Sequence, residues 1–189
     1  MPGMKQLIFF TESFPYGKGE SFIENEIEYL SREFDRIYIL PRPSSTQEQR
    51  SLPANCIVFP PIFRSSGELV FKGLFCFSPL FYFFKKLISE KAYTSLYKFK
   101  KYIATAITCR CILADKNFKR LNRQSTESTV YFYWGIGMAY ILPFIHNKDK
   151  KIVRFHRTDL YADLRPHQYI PFRKEVFESL NKAVFISKQ

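Results

Sequence analysis

Six short runs rich in Ile, Val, Phe and Tyr, at 5–10, 36–40, 56–60, 129–133, 151–156 and 183–187, alternate with segments of helical period. After the first run, Ile23, Ile27, Leu30 and Phe34 recur on one face of a helix. Helices are expected at 20–33, 67–76, 79–89, 92–122, 136–146 and 172–180. Short apolar strands separated by helices predict an α/β fold, a Rossmann-like and mostly parallel sheet with helices on both faces. The carboxyl ends of parallel strands then share one edge, and such sheets bind their ligands there. The block from about 67 to 122 is much longer than a simple crossover requires, so it reads as a helical insertion.

Three loops fall on that edge. The first, 11–19, holds Pro15, Gly17, Lys18 and Gly19 and leads into a helix. It brings flexible backbone and a positive charge to a helix N-terminus, where free N–H groups favour an anion. An ordinary strand-to-helix turn, with Gly19 present for close packing, accounts for the same residues. The second loop, Trp134-Gly135-Ile136-Gly137, has glycines that permit close approach. The third follows Arg154-Phe155 and reads His156-Arg157-Thr158-Asp159. His156 can donate a hydrogen bond or exchange a proton near neutral pH, and Asp159 can accept from sugar hydroxyls. Arg154 and Arg157 can meet phosphate bidentately. The structural alternative has His156 capping the loop and Arg157 paired with Asp159. No serine–histidine–aspartate elbow, P-loop or complete dinucleotide fingerprint is present. His146 and His167 have no partner at metal-ligand spacing and read as surface or structural residues, and no metal site is assigned.

Charge is concentrated. Lys72 to Arg123 contains twelve basic residues and two acids, Glu90 and Asp115, so it carries +10 of the chain's net +12. Such a segment meets phosphates, whether of lipid, nucleotide or nucleic acid, or else is a solvated basic face. An aromatic content of 18% exceeds what a core needs and points to apolar surface kept for a partner. The most apolar run, Leu69 to Phe84, is interrupted by Lys72, Ser78 and Pro79 and closed by Lys85-Lys86. It falls short of the roughly 20 apolar residues that span a bilayer. It suits either a surface-lying membrane contact or a helix pair tucked against the sheet. Cys56, Cys76, Cys109 and Cys111 lack the spacing of a zinc site and read as reduced, mostly buried thiols.

Phe14-Pro15-Tyr16-Gly17-Lys18-Gly19-Glu20-Ser21-Phe22, Arg154 to Tyr161, and Tyr169 to Phe177 leading to Val184-Phe185-Ile186-Ser187, taken in this order, resemble the N-terminal half of a bacterial GT-B glycosyltransferase. The subgroup is the retaining, GT4-like enzymes of capsule, exopolysaccharide and lipopolysaccharide assembly. The resemblance covers both ends of the chain and skips most of 42–128. It implies one Rossmann-like acceptor-binding domain over 4–189, with the donor-binding C-terminal domain absent and the isolated chain not turning over. It implies transfer from a nucleotide-sugar to a lipid-linked glycan acceptor, with no cofactor, the nucleotide-sugar being a substrate held mainly by the C-terminal domain. Gly17, Lys18 and Gly19 match the loop beside the donor phosphates, His156 the histidine near the transferred sugar, and Asp159 the adjacent acceptor-side loop. Arg157-Thr158 departs from the glycine and aromatic common there. The implied location is cytoplasmic, peripheral at the inner face of the plasma membrane. There Lys85, Lys86, Lys98, Lys100 and Lys101 would hold anionic headgroups while Phe81, Phe83 and Phe84 enter the interface. The last strand, reading as a buried edge strand near the chain end, agrees with more protein following. The competing reading is a basic phosphate- or nucleic-acid-binding α/β module without catalysis. No recognised nucleic-acid motif supports it, and no nucleic-acid partner is expected.

Overall fold

Strand β1 (Gln6–Thr11) is apolar from Leu7 to Phe10 because both of its faces are covered. Leu7 and Phe9 join the core under helix α1 (Phe22–Glu33), through Ile23 and Ile27, and Ile8 and Phe10 join the larger core on the opposite face. The same alternation runs through β2 (Arg36–Pro41), with Ile37 and Ile39 on the α1 side and Tyr38 and Leu40 on the other. It follows from the twofold period of extended backbone. We describe the chain from a computed structural model that covers residues 4–42, 48–63, 65–75, 79–123, 128–146, 148 and 150–186.

The sheet has six strands, all parallel, in the order β3-β2-β1-β4-β5-β6, where β3 is Cys56–Val58, β4 Ser128–Phe132, β5 Lys150–Phe155 and β6 Lys182–Phe185. The fold is therefore the expected Rossmann-like α/β arrangement. The strand order reverses between β1 and β4, and the loops after these two strands flank that switch point. β3 stops before the expected residue 60 because Pro60 and Pro61 lack the N–H that a ladder needs. β6 is not the buried edge expected. Lys182 and Phe185 are exposed and Ala183 and Val184 half-buried.

Between β3 and β4 run α2 (Ser66–Phe75), α3 (Leu80–Ser89), a 3₁₀ turn (Ala92–Thr94), α4 (Leu96–Ala114) and α5 (Lys116–Arg123). The single helix expected over 92–122 is broken at Asp115. Its carboxylate accepts the N–H groups of Asn117 and Phe118, both at 2.9 Å, and so caps α5 as a new start. α4 lays Tyr102, Thr105, Ala106, Cys109, Ile112 and Leu113 against the sheet core. α2 packs closely on α4 at Gly73, where a Cβ would overlap Ile107. The segment after β4 is a 3₁₀ helix (Gly137–Phe144) rather than an α-helix, with Pro143 inside it. Helices α6 (Arg157–Leu160) and α7 (Arg173–Ser179) complete the chain. Cys109 and Cys111 are buried and Cys56 half-buried, whereas Cys76 lies outside the described residues.

No single helix among the described residues is long and apolar enough to cross a membrane. Helices α2 and α3 nevertheless turn Phe71, Leu74, Phe75, Leu80, Phe81, Phe84 and Ile88 outward. Phe83 is not among them. It is buried against Phe144 and Phe172, because its side of α3 faces the core.

Candidate functional site

Glu20 organises the sheet edge. Its carboxylate accepts the backbone N–H groups of Glu12 at 3.1 Å, Ser13 at 2.7 Å and Phe14 at 2.7 Å, curling the loop after β1 around one anion. The indole Nε1 of Trp134, in the loop after β4, donates to the same carboxylate at 2.6 Å. One side chain thus ties together the two loops that flank the switch point. Glu20 sits at φ 55°, which explains why α1 begins at Phe22 and not at residue 20.

Trp134 in turn stacks on the His156 ring, with centroids 3.9 Å apart and planes 25° apart. His156 caps α6, and its Nδ1 lies 3.4 Å from Oδ2 of Asp159. Asp159 has no exposed side-chain surface. It accepts the N–H of Gly135 at 3.1 Å and that of His156 at 3.4 Å, and Arg165 lies 3.7 Å from it. Its carboxylate is therefore committed to joining the β4 and β5 loops. Gly135 has no room for a Cβ, which would overlap the Phe155 ring.

The other candidates divide. Gly17 takes φ 64°, a conformation that favours glycine, and Gly19 leaves no free space for a Cβ beside Ser13 Oγ. Both carbonyls accept from Arg50, Nε to Gly17 at 2.6 Å and Nη2 to Gly19 at 2.7 Å, so this loop is laced to the segment after residue 47. Lys18 is exposed at its tip, and Arg157 is exposed on the first turn of α6. Arg154 does not face the edge. Strand parity puts it on the α1 side with Tyr131 and Tyr133, where it pairs with Glu26 and lies over the Tyr133 ring. The three loops carrying Gly17 to Gly19, Trp134 and His156 thus meet, while Arg154 serves the packing of α1.

Beside this cluster opens a cavity of about 570 Å³, lined by α2, α4 and the loops after β1, β2 and β4. Glu12 and Arg42 form its sheet end as an ion pair at 2.9 Å. Gly137, at φ 67°, leaves the room that the Glu12 carboxylate occupies. Glu12 belongs to both features, since its backbone binds Glu20 and its side chain lines the cavity. Among the described residues no group of three His, Cys, Asp or Glu side chains could hold a metal ion.

Comparison with protein-family models, with curated proteins and with solved structures finds no match to this chain. The site is therefore read from its own chemistry.

Glu20, Trp134, Glu12, Arg42 and Arg50 carry the geometry without having stood out as site residues in the sequence. Glu12 had one readable signal, an acid directly after the central strand. Burial pushes its carboxyl above the ordinary range, and Arg42 offsets this in part. A carboxyl raised in the fold contributes stability below its unfolded value, near 4.5, and loses that contribution as pH rises through its folded value. Glu12→Gln cannot ionise. Urea denaturation across a pH series is expected to show its stability, relative to wild type, improving steadily as pH rises from below 4.5. A constant difference would mean that Glu12 titrates normally.

Proposed function

We propose that this chain is the acceptor-side, Rossmann-like domain of a glycosyltransferase that moves a sugar from a nucleotide-sugar to a lipid-linked glycan at a membrane surface. The observation that carries the reading is the convergence of the Gly17–Gly19 loop, Trp134 and His156 on one sheet edge through the Glu20 carboxylate. Lys18 and Arg157, both exposed on these loops, supply positive charge for a diphosphate. His156, with Nδ1 turned to Asp159, offers Nε2 to a hydroxyl of the transferred sugar. Asp159 acts as a positioning residue, holding the imidazole and the Gly135 loop in one arrangement. The flat indole–imidazole stack is a surface against which a sugar ring can lie.

Genetics tests the reading directly. Deleting the encoding gene is expected to remove a sugar from the cell-surface polysaccharide of the source organism, read as a mass change of the purified glycan. The wild-type gene should restore it and His156→Ala should not. An unchanged polysaccharide after deletion would overturn the proposal.

A further inference from the structure

The lining of the cavity between α2 and α4 is of two chemical kinds. Leu69, Val70, Ile103 and Ile107 are apolar, while Arg42, Lys100 and Lys101 bring positive charge. We propose that this cavity binds a single-chain lipid phosphate, with the apolar chain along the α2–α4 wall and the phosphate among Arg42, Lys100 and Lys101. Three cations and one carboxylate, Glu12, line the cavity, so the lining keeps a net positive charge even with the Glu12–Arg42 pair formed. Lys100 and Lys101 are exposed, as an incoming headgroup requires. The volume of about 570 Å³ lies inside the ~300–1,000 Å³ range of small-molecule sites.

The entrance supports an amphiphile over a soluble metabolite. Val70, Phe99 and Ile103 line the cavity and are also exposed, so its wall runs out onto the surface where α2 shows Phe71 and Phe75. A chain can pass from a bilayer into the cavity without leaving apolar surroundings. Its phosphate would then rest at the sheet edge, beside Glu12, whose backbone N–H is held by the Glu20 carboxylate that also binds Trp134. On the glycosyltransferase reading, this ligand is the lipid anchor of the acceptor; the binding itself does not depend on that reading.

Titration calorimetry on the full chain tests the site, with farnesyl phosphate below its micelle threshold, farnesol and inorganic phosphate as separate probes. Farnesyl phosphate is expected to bind one to one, at least about tenfold more tightly than either of the others. Ala104→Trp, at an exposed position of α4 in the cavity wall, should abolish binding. Lys100→Ala with Lys101→Ala should reduce farnesyl phosphate to the level of farnesol. Absence of saturable binding, equal affinity for farnesol, or full binding by a folded Ala104→Trp protein would each overturn the assignment. If Ala104→Trp does not fold, the lysine pair decides. Binding here together with an unaltered surface polysaccharide after gene deletion would uphold the cavity and remove the transfer reading.

Discussion

Vesicles containing anionic lipid are expected to draw this protein out of solution, whereas a variant with serine at Phe71, Phe75, Phe81 and Phe84 keeps only the weaker, salt-sensitive attraction of its lysines. These four rings are 65%, 69%, 80% and 60% exposed, which is costly in water, and Phe71 and Phe75 pack on each other at 4.8 Å between ring centroids. Full burial of a phenylalanine side chain is worth about 1.5–3 kcal/mol, so half-immersion of four rings gives roughly 3–6 kcal/mol. That corresponds to about two to four orders of magnitude in partitioning. Exposed Lys85, Lys100 and Lys101 add about 1 kcal/mol each near an anionic surface. Lys86 and Lys98 contribute less than their sequence position implies, since Lys86 pairs with Glu175 and Lys98 lies over the Tyr169 ring. Flotation with neutral and anionic vesicles separates the two contributions. The aromatic term should survive in neutral lipid and the lysine term should vanish with salt. Identical flotation of wild type and the serine variant would show that these rings do not enter lipid.

Removing the Glu20 carboxylate should damage the site more than removing any residue that touches a ligand. Glu20→Ala leaves three backbone N–H groups and the Trp134 indole without their shared acceptor. Hydrogen bonds to a charged group contribute about 1.5–3 kcal/mol each when partners are lost. Water will recover part of this at a half-buried edge, so a net loss of roughly 3 kcal/mol is expected, or about 6–12 °C in Tm for a chain of this size. Trp134 is the chain's single tryptophan, and its emission should move toward that of a solvated indole as the stack on His156 loosens. Glu20→Gln keeps an acceptor oxygen and should fall between the two. Thermal unfolding of Glu20→Ala within a couple of degrees of wild type would mean that the Arg50 contacts alone hold the loop.

The strands appear within a residue or two of their expected places, the central ones because buried parallel strands are written as compact apolar runs, while the edge strands β3 and β6 hold no buried residue. The α4–α5 break was not, because a capping aspartate in a long basic helical stretch differs little from a surface acid. Gly17 and Gly19 were visible as turn residues, and both have a local reason to be glycine. Glu20 was not, since its role depends on Trp134, which the chain reaches only after the whole insertion. Asp159 and Arg154 show the limit from the other side. Residue type assigned both to ligands, but the structure buries the first between loops and turns the second onto the α1 face. For Arg154, counting strand parity against Phe155 already contained the answer.

The position of β1 has a consequence for how the molecule is made. β1 lies between β2 and β4, so Gln6 must wait for Ser128 before its second edge is filled. At ~5–20 residues per second, a ribosome takes on the order of ten seconds to deliver that partner. During this interval the most apolar strand of the sheet has one open edge, and the exposed aromatic rings of α2 and α3 emerge before its partner strand. Loop closure over such a distance costs only slightly more than over a shorter one, but it comes late. The nascent chain therefore holds its stickiest surfaces uncovered together, and production at high synthesis rate should favour aggregation over folding unless a chaperone or a membrane shields them.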